Sequence, residues 1–489
     1  MKPIPITHAK VGFGPDPRRV IAKPFLPGEQ VFPDGHSRTR RVVDRVLAMT
    51  DEAVSETLAA TLEEFGGRHR DLEAELRGNF DLVSSHVDDP ESLDLERRDL
   101  IGAYFTHEYS VEGASLGNPS IVPAPDQSGL GPGEQRFVVS LRAIGEGHLS
   151  SIEFRSGVID SESNMTIDDP TPFVTTGDRR STGYEKHLFR SKLTELGVMN
   201  EIAARILDPL PQRFNLDEVN EALANVALTV DRSIAIETAR TIHWLASSNY
   251  TLSFDARYPI SERVIFPGGP TESRGMEDAR FVRFVSDSGT VTYYGTYTAF
   301  DGFQILPQLI ETPDFVSFRI ATLQGGGARN KGIALFPRMI DGMYAALSRQ
   351  DNENNYLMLS DDVRIWGKAE RIQVPTQPWE LMQLGNCGSP LETEAGWLVM
   401  THGVGPLRRY SLGAILLDRD DPKLVIGHLD DPLLIPSGEE REGYVPNVVY
   451  SCGAMINGDD LIMPYGYSDF GAKVAIVPLA ELLGRLTES

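Results

Sequence analysis

The segment Arg274-Gly-Met-Glu277-Asp278-Ala-Arg280-Phe281 sets two acids between arginines, directly ahead of an alternating apolar run. Alone, such a cluster reads as surface ion pairing at a strand entry, which contributes little. Its chemistry depends on what the rest of the chain brings beside it. A basic set recurs at comparable places: Arg142, His148, Lys331, Arg349, His402 and Arg409. Glycosidic cleavage ordinarily takes one carboxylic acid for the leaving oxygen and a second carboxylate to activate water or attack directly. Phosphate is already a nucleophile. If it attacks, one acid suffices, and cations that hold phosphate replace the second carboxylate. Asp278 with this basic set fits that arithmetic, and the cations would favour phosphate as it approaches the anomeric carbon. Amides and carboxylates at fixed angles suit sugar hydroxyls, and Trp379 and Trp397 are candidates for stacking on a sugar face.

These residues need a scaffold that brings distant segments together, and the chain contains a repeat that does so. Five turns with glycine, at Gly133, Gly289, Gly342, Gly396 and Gly458, each precede a run of β-forming residues. The last three steps are 53, 54 and 62 residues. The first step is longer because a helical block interrupts it. Multi-stranded units at this period are the signature of propeller blades. The fold expected is mainly β, a five-bladed β-propeller with an N-terminal helical extension and a helical insertion. The expected divisions are an extension over 1–110, a first blade region over 111–159, the insertion over 160–254, and the remaining blades over 255–489.

The helical parts follow from apolar residues at three- and four-residue spacing in 40–65 and again across 185–248, where Asn215 is a plausible N-cap. The repeat also aligns polar residues. Asn118, Asp278, Asn330, Asn386 and Asn447 stand at strand entries, and Arg142, Tyr297, Arg349, His402 and Asp469 follow the turns. Equivalent positions in successive blades face one axis, so these side chains are expected to line a single funnel. An Asn at a strand entry can also simply cap a turn.

A net charge of -24 argues against a nucleic-acid partner, which would require a basic footprint. Cys387 and Cys452 are too few for a disulfide framework, and no Cys/His spacing suggests zinc. The N-terminus lacks a signal-peptide apolar run and no stretch suits a membrane span, so a cytoplasmic protein is expected. GGGARNKG lacks the Gly-Lys-Ser/Thr of a phosphate loop, and neither a Gly-x-Ser-x-Gly elbow nor HExxH occurs.

The segments GMEDARF, NKGIALFPRMIDGMYAALSR, TEAGWLVMTHGVG, YSLGAILLDRDDP, EGYVPNVVYSCGA and PYGYSD together resemble glycoside hydrolase family 130. This is a five-bladed family of β-mannoside phosphorylases and some β-1,2-mannosidases. The resemblance covers roughly 110–159 and 255–485, and the helical segments point to a longer subgroup. It implies that Asp278 is the general acid, acting through a sugar hydroxyl, and that inverting attack by phosphate releases α-mannose 1-phosphate. It implies phosphate binding by Arg142, Lys331, Arg349 and His402, and sugar contacts at Asn118, Asn386 and Asp469. Glu277, Tyr297 and Asn330 join the substrate-binding set, with Glu277 and Arg280 positioning the acid and Arg274 left as ordinary surface. No metal or organic cofactor is implied; inorganic phosphate is the co-substrate and a short oligosaccharide the partner. The chain departs from the family in Glu-Asp-Ala-Arg for Glu-Asp-Pro-Arg, in Asn-Lys-Gly for Asn-Lys-Asp, and in the missing His before Arg349.

Two other readings stand beside this one. An inverting β-mannosidase using water would need a base, for which Glu439, Glu440 and Glu442 are candidates. A carbohydrate-binding propeller without catalysis is the third. The helical additions are expected to pack on the propeller rim or on another subunit.

Overall fold

Each of the five turn glycines lies where one strand gives way to the next, and all five have positive φ, from 56° at Gly458 to 139° at Gly396. Only glycine takes that conformation without a Cβ penalty, which explains why the repeat is punctuated by this residue. A computed structural model of the chain describes residues 3–28, 32, 35–226 and 232–488. The chain divides into two compact units, Asp16–Gly113 with Thr171–Thr176, and Met1–Pro15 with Ala114–Pro170 and Gly177–Ser489. The protein is mainly β, with several sheets and N-terminal helices.

In the smaller unit the helices are Arg38–Leu47, Asp51–Phe65, Leu72–Asp81 and Leu95–Tyr104. Ser37, Thr50, Asp71 and Asp94 each accept a backbone N–H at the helix start. Thr50 therefore breaks the apolar-periodic run of 40–65 into two helices. Their inner faces bury Val43, Leu58, Leu76, Phe80 and Ile101 together, each contributing about 1.5–3 kcal/mol if large and apolar. Val20–Pro24 and Thr106–Ser110 pair beside them.

Among its described residues the larger unit contains five antiparallel sheets of four or more strands. The first is built on Ser115–Pro123, Gln135–Ile144 and Ser150–Ile159. The second runs through Met276–Val285, Val291–Phe300, Ile305–Thr312 and Ser317–Thr322. The third comprises Lys331–Leu335, Tyr344–Arg349, Asn355–Ser360 and Ala369–Gln373. The fourth comprises Gln383–Asn386, Gly396–Val404, Tyr410–Leu417 and Val425–His428. The fifth holds Val449–Tyr450, Asp460–Tyr467 and Gly471–Pro478.

Thr7–Phe13 adds to the fifth sheet by pairing with Gly471–Pro478. The extension expected over 1–110, largely helical, thus includes a strand that belongs to the larger unit. The strand's partner lies at the other end of the chain, and no local pattern announces it.

Ser115–Pro123 packs against both Met276–Val285 and Asp460–Tyr467, Met276–Val285 against Lys331–Leu335, Lys331–Leu335 against Gln383–Asn386, and Tyr410–Leu417 against Val449–Tyr450. Apolar clusters fill these junctions, such as Val282 with Leu335, Leu347 with Val399, Met400 with Met463, and Leu116 with Val474. Trp397 and Trp379 are buried in this packing, their indole N–H groups bonded to the carbonyls of Arg419 and Asp430. Neither is available to stack on a sugar.

The insertion supplies Lys186–Glu195, Glu201–Leu207, Leu216–Val226 and Arg232–Ala246. Its Phe189, Leu193, Ile206 and Ile242 share a core with Phe154, Phe281 and Phe318 of the first two sheets. Asn215 caps Leu216–Val226 in a reciprocal box with Glu218; the expected continuation over 227–230 lies outside the described residues. Tyr250–Ser253 and Asp178–Ser181 extend the second sheet. Among the described residues no helix is long and apolar enough to cross a membrane.

Candidate active site

Four of the five repeated strand-entry residues have left-handed backbones: Asn118 at φ 48°, Asp278 at 54°, Asn330 at 57° and Asn447 at 63°. Asn and Asp are the side chains that tolerate this region best. In the first and second sheets the ladder shifts register around this residue, between Gly117 and Ser120 and between Glu277 and Arg280, and in the third just after it, between Lys331 and Ala334. Such a bulge bends the strand and re-aims its side chains. The repeated asparagines therefore report a backbone device. At Asp278 the same device aims a carboxylate.

Asp278 accepts a hydrogen bond from Asn118 Nδ2 at 2.6 Å and lies 3.8 Å from Arg142 Nη1. Its backbone carbonyl accepts from Arg280 Nη1 at 2.8 Å, and Arg280 Nη2 donates to Tyr450 Oη at 2.8 Å. Burial pushes its carboxyl upward, but Arg142, Arg280, Lys331 and the Asn118 bond outweigh this and hold it below the ordinary value. Glu277 bridges two of the cations, accepting from Arg142 Nη2 at 3.1 Å and from Lys331 Nζ.

Lys331 and Arg349 are directly opposed in the third sheet. Arg349 is buried and donates from Nη1 to His402 Nε2 at 3.0 Å. Gly385 makes room for this pair, since a Cβ there would stand 2.6 Å from the imidazole and 2.9 Å from Arg349 Cδ. Burial first, then Arg349 and Arg280, keeps the His402 pKa well below its ordinary value. A guanidinium only donates, so Nε2 accepts and the imidazole proton sits on Nδ1, 3.6 Å from Cys387 Sγ. This corrects the expectation of a cationic His402: it is a neutral acceptor behind Arg349.

Arg280 and Arg349 form no ion pair with a carboxylate among the described residues, and the Nε atoms of both, like that of Arg142, are buried without a hydrogen-bond partner. Buried charges are ordinarily paired. The arrangement is deficient in negative charge and suited to a compact anion.

Asp469 belongs to the same environment. Burial raises its pKa, Arg142 and Arg408 oppose the rise, and Asp278 and Glu277 add to it. Two carboxylates in one site thus shift in opposite directions, Asp278 held ionised by its cations and Asp469 pushed up by burial.

Other expected site residues are engaged elsewhere. Asn386 donates to the Gly332 carbonyl at 2.7 Å and accepts from Gly388 N at 3.3 Å, bracing the strand that carries Lys331. Asn330 Nδ2 is tied to the Gln350 carbonyl. Tyr297 is not brought to Asp278. Glu277 opposes Thr298 in the ladder, so the pleat turns the neighbouring Tyr297 to the other face. There its hydroxyl donates to the buried Glu272 at 2.5 Å, beside Tyr250 at 3.0 Å.

Glu440 is also committed, accepting from Tyr465 Oη at 2.7 Å, Lys473 Nζ at 3.2 Å and Ser437 N at 3.1 Å. Glu439 pairs with Lys473, and Glu442 is exposed. Tyr450 and Arg408 were absent from the sequence expectations. Tyr450 lies in an apolar run, where a core strand is the ordinary reading, and Arg408 adjoins the exposed Arg409 that the basic set contained. An apolar cavity of about 430 Å³, lined by Ile121, Val282, Pro337 and Met455, opens at the far ends of the same inner strands from Asp278. Among the described residues no cluster of His, Cys, Asp and Glu could hold a metal ion.

The family model described as β-1,4-mannooligosaccharide phosphorylase, glycoside hydrolase family 130, matches residues 242–488. A 1,2-β-oligomannan phosphorylase of Thermoanaerobacter sp. is 34% identical over 218 residues, 43% of this chain and 71% of that protein. A β-1,2-mannobiose phosphorylase of Listeria innocua is 31% identical over 231 residues, 45% of this chain but 63% of that protein, under two thirds of its length. The solved structure of a Listeria innocua β-1,2-mannobiose phosphorylase with β-1,2-mannobiose covers 78% of this chain and 94% of its own, at 21% identity and a TM-score of 0.47. The matched region contains Asp278 with its flanking acid and arginine, Lys331 facing Arg349, and His402 behind them, and the chain belongs to glycoside hydrolase family 130.

Proposed function

We propose that the protein is an inverting phosphorylase that cleaves short β-mannosides, β-1,2-linked, with inorganic phosphate to give α-mannose 1-phosphate. The observation that carries this reading is Arg349, a buried guanidinium opposite Lys331 whose described partner is a neutral imidazole. A hydrolase has no need of two opposed cations of which one, Arg349, has no carboxylate partner among the described residues; a phosphorylase binds a dianion. The 1,2-linkage is supported by what the Thermoanaerobacter and Listeria proteins are named for. The five sheets, each sharing an apolar cluster with the next, are read as the blades of a propeller around this site.

In the proposed reaction phosphate enters among Lys331, Arg349 and Arg142, and Glu277 yields its place between Arg142 and Lys331. Phosphate oxygen attacks C1 from the face opposite the leaving sugar. The C1–O bond to phosphate forms as the glycosidic C1–O bond breaks, with inversion. The proton for the departing oxygen comes from Asp278, relayed by a sugar hydroxyl. Asp278 must then be protonated on arrival, and the phosphate charge opposes the cations that otherwise keep it ionised. His402 orients Arg349 and does not itself add charge. A cytoplasmic setting, where the sugar phosphate is retained, suits this product. A second copy of the chain docking through the helical additions is part of the same reading.

The test is release of sugar from β-1,2-mannobiose with and without inorganic phosphate. Phosphate-dependent formation of α-mannose 1-phosphate is expected. Free mannose formed equally well without phosphate would replace this reading with hydrolysis.

A further inference from the structure

We propose that Tyr444 and His148 form the acceptor-side sugar platform of this site, stacking the sugar that departs in phosphorolysis and arrives in synthesis. The inference rests on the phosphorylase reading and adds to it the residues that grip the second sugar. The two rings come from different sheets and meet with centroids 4.8 Å apart at 32°. Tyr444 is 69% exposed. One exposed aromatic is ordinary on a protein surface; two from different sheets that meet ring to ring are a built feature.

Both rings stand in loops tied to segments that carry charged residues of the site. Tyr444 is flanked by Val445, whose N–H donates to the Ser468 carbonyl at 3.2 Å, and by Gly443, where a Cβ would stand 2.5 Å from the same oxygen. Ser468 precedes Asp469, which feels the charges of Asp278 and Arg142. His148 has a left-handed backbone, φ 60°, in the turn that follows the strand bearing Arg142. The pair therefore joins a loop of the fifth sheet, tied to Ser468 ahead of Asp469, to the turn of the first sheet that follows the strand of Arg142.

The direction of reaction agrees with this placement. Inverting displacement needs phosphate and leaving group on opposite faces of the reacting carbon. Arg349 and Lys331 enter from the third sheet and His402 from the fourth, and Arg142, from the first, lies between them and the acid, bonded to Glu277 and 3.8 Å from the Asp278 carboxylate. Asp278, which protonates the departing oxygen, is hydrogen-bonded to Asn118 of the first sheet. The leaving sugar thus departs towards the first and fifth sheets, where the exposed rings lie. A pyranose offers an apolar C–H face to such rings and keeps its hydroxyls for Asp469 and water.

The experiment compares wild type, Y444A, H148A and Y444F in both directions, with all variants checked for an unchanged melting temperature. For Y444A and H148A the KM for the acceptor mannoside is expected to rise about tenfold, with KM for phosphate and α-mannose 1-phosphate unchanged, and Y444F is expected to behave as wild type. An active wild type with an acceptor KM unmoved in Y444A overturns the platform alone. A wild type without phosphate-dependent turnover on any β-mannoside overturns the phosphorylase reading and the platform with it.

Discussion

Lys331 and Arg349 face each other across an antiparallel ladder, and Arg349 is buried with a neutral histidine as its hydrogen-bond partner. Like charges directly opposed destabilise a sheet. Glu277 compensates Lys331 but does not reach Arg349 in the described contacts. The site therefore holds unbalanced positive charge that a bound anion relieves.

Phosphate should consequently stabilise the fold as well as react. At phosphate near one hundred times its dissociation constant, stability is expected to rise by about 2.7 kcal/mol. Arg349→Met is expected to raise KM for phosphate about 10- to 100-fold without lowering the melting temperature. Calorimetric melts with and without phosphate, beside initial rates, check both halves. A variant that melts lower but keeps its phosphate KM reverses the argument.

Asp278→Asn should abolish most turnover, by about two to four orders of magnitude, with little change in stability. Asparagine occupies the same left-handed backbone at 118, 330 and 447, so the substitution is conformationally acceptable. Circular dichroism and rate measurements suffice. Retained activity in a folded variant would remove Asp278 from the acid role.

Anion binding should draw a proton into the site. Asp278 is held ionised by Arg142, Arg280 and Lys331 despite burial, so its folded pKa is below the ordinary value. An anion on those cations raises that pKa, and protons are taken up near and just above it. Sulfate, which does not titrate near neutrality, is the cleaner probe. Titration calorimetry at about pH 5 in two buffers of different ionisation enthalpy should show uptake that Asp278→Asn loses, since the ordinary carboxyl value is about 4. Buffer-independent heats in the wild type count against the coupling.

His402 sets a separate pH dependence of stability. Its folded pKa lies well below the ordinary value because of burial, Arg349 and Arg280. The unfolded chain then binds more protons as pH falls below about 6.5, so stability is full above that pH and declines below it, by about 1.4 kcal/mol per unit within the window. His402→Gln should flatten the decline between pH 7 and 5. An equal slope in both proteins would place the titration elsewhere.

Tyr297→Phe separates a structural residue from a sugar ligand. Its hydroxyl bonds to the buried Glu272, so the variant should lose about 1–3 kcal/mol of stability. Both substrate KM values should stay within twofold, about 0.4 kcal/mol. A selective rise in mannoside KM would return Tyr297 to the site.

By itself the sequence determined the repeat and its turn glycines, because these are local consequences. Positive φ selects Gly133 and its counterparts, and a left-handed strand entry selects Asn118, Asp278, Asn330 and Asn447. Asn215 and Glu218 likewise announce a helix start by their spacing. Only the tertiary structure decided what each aligned side chain does. The pleat turned Tyr297 towards Glu272, the Gly332 and Gly388 backbones took the Asn386 amide, and Thr7–Phe13 found its partner at the opposite end of the chain. Tertiary packing also decided charge, making His402 neutral and pushing the Asp278 and Asp469 pKa values apart. Protonation depends on burial and on charges carried by neighbouring sheets, and neither is written at any single position of the chain.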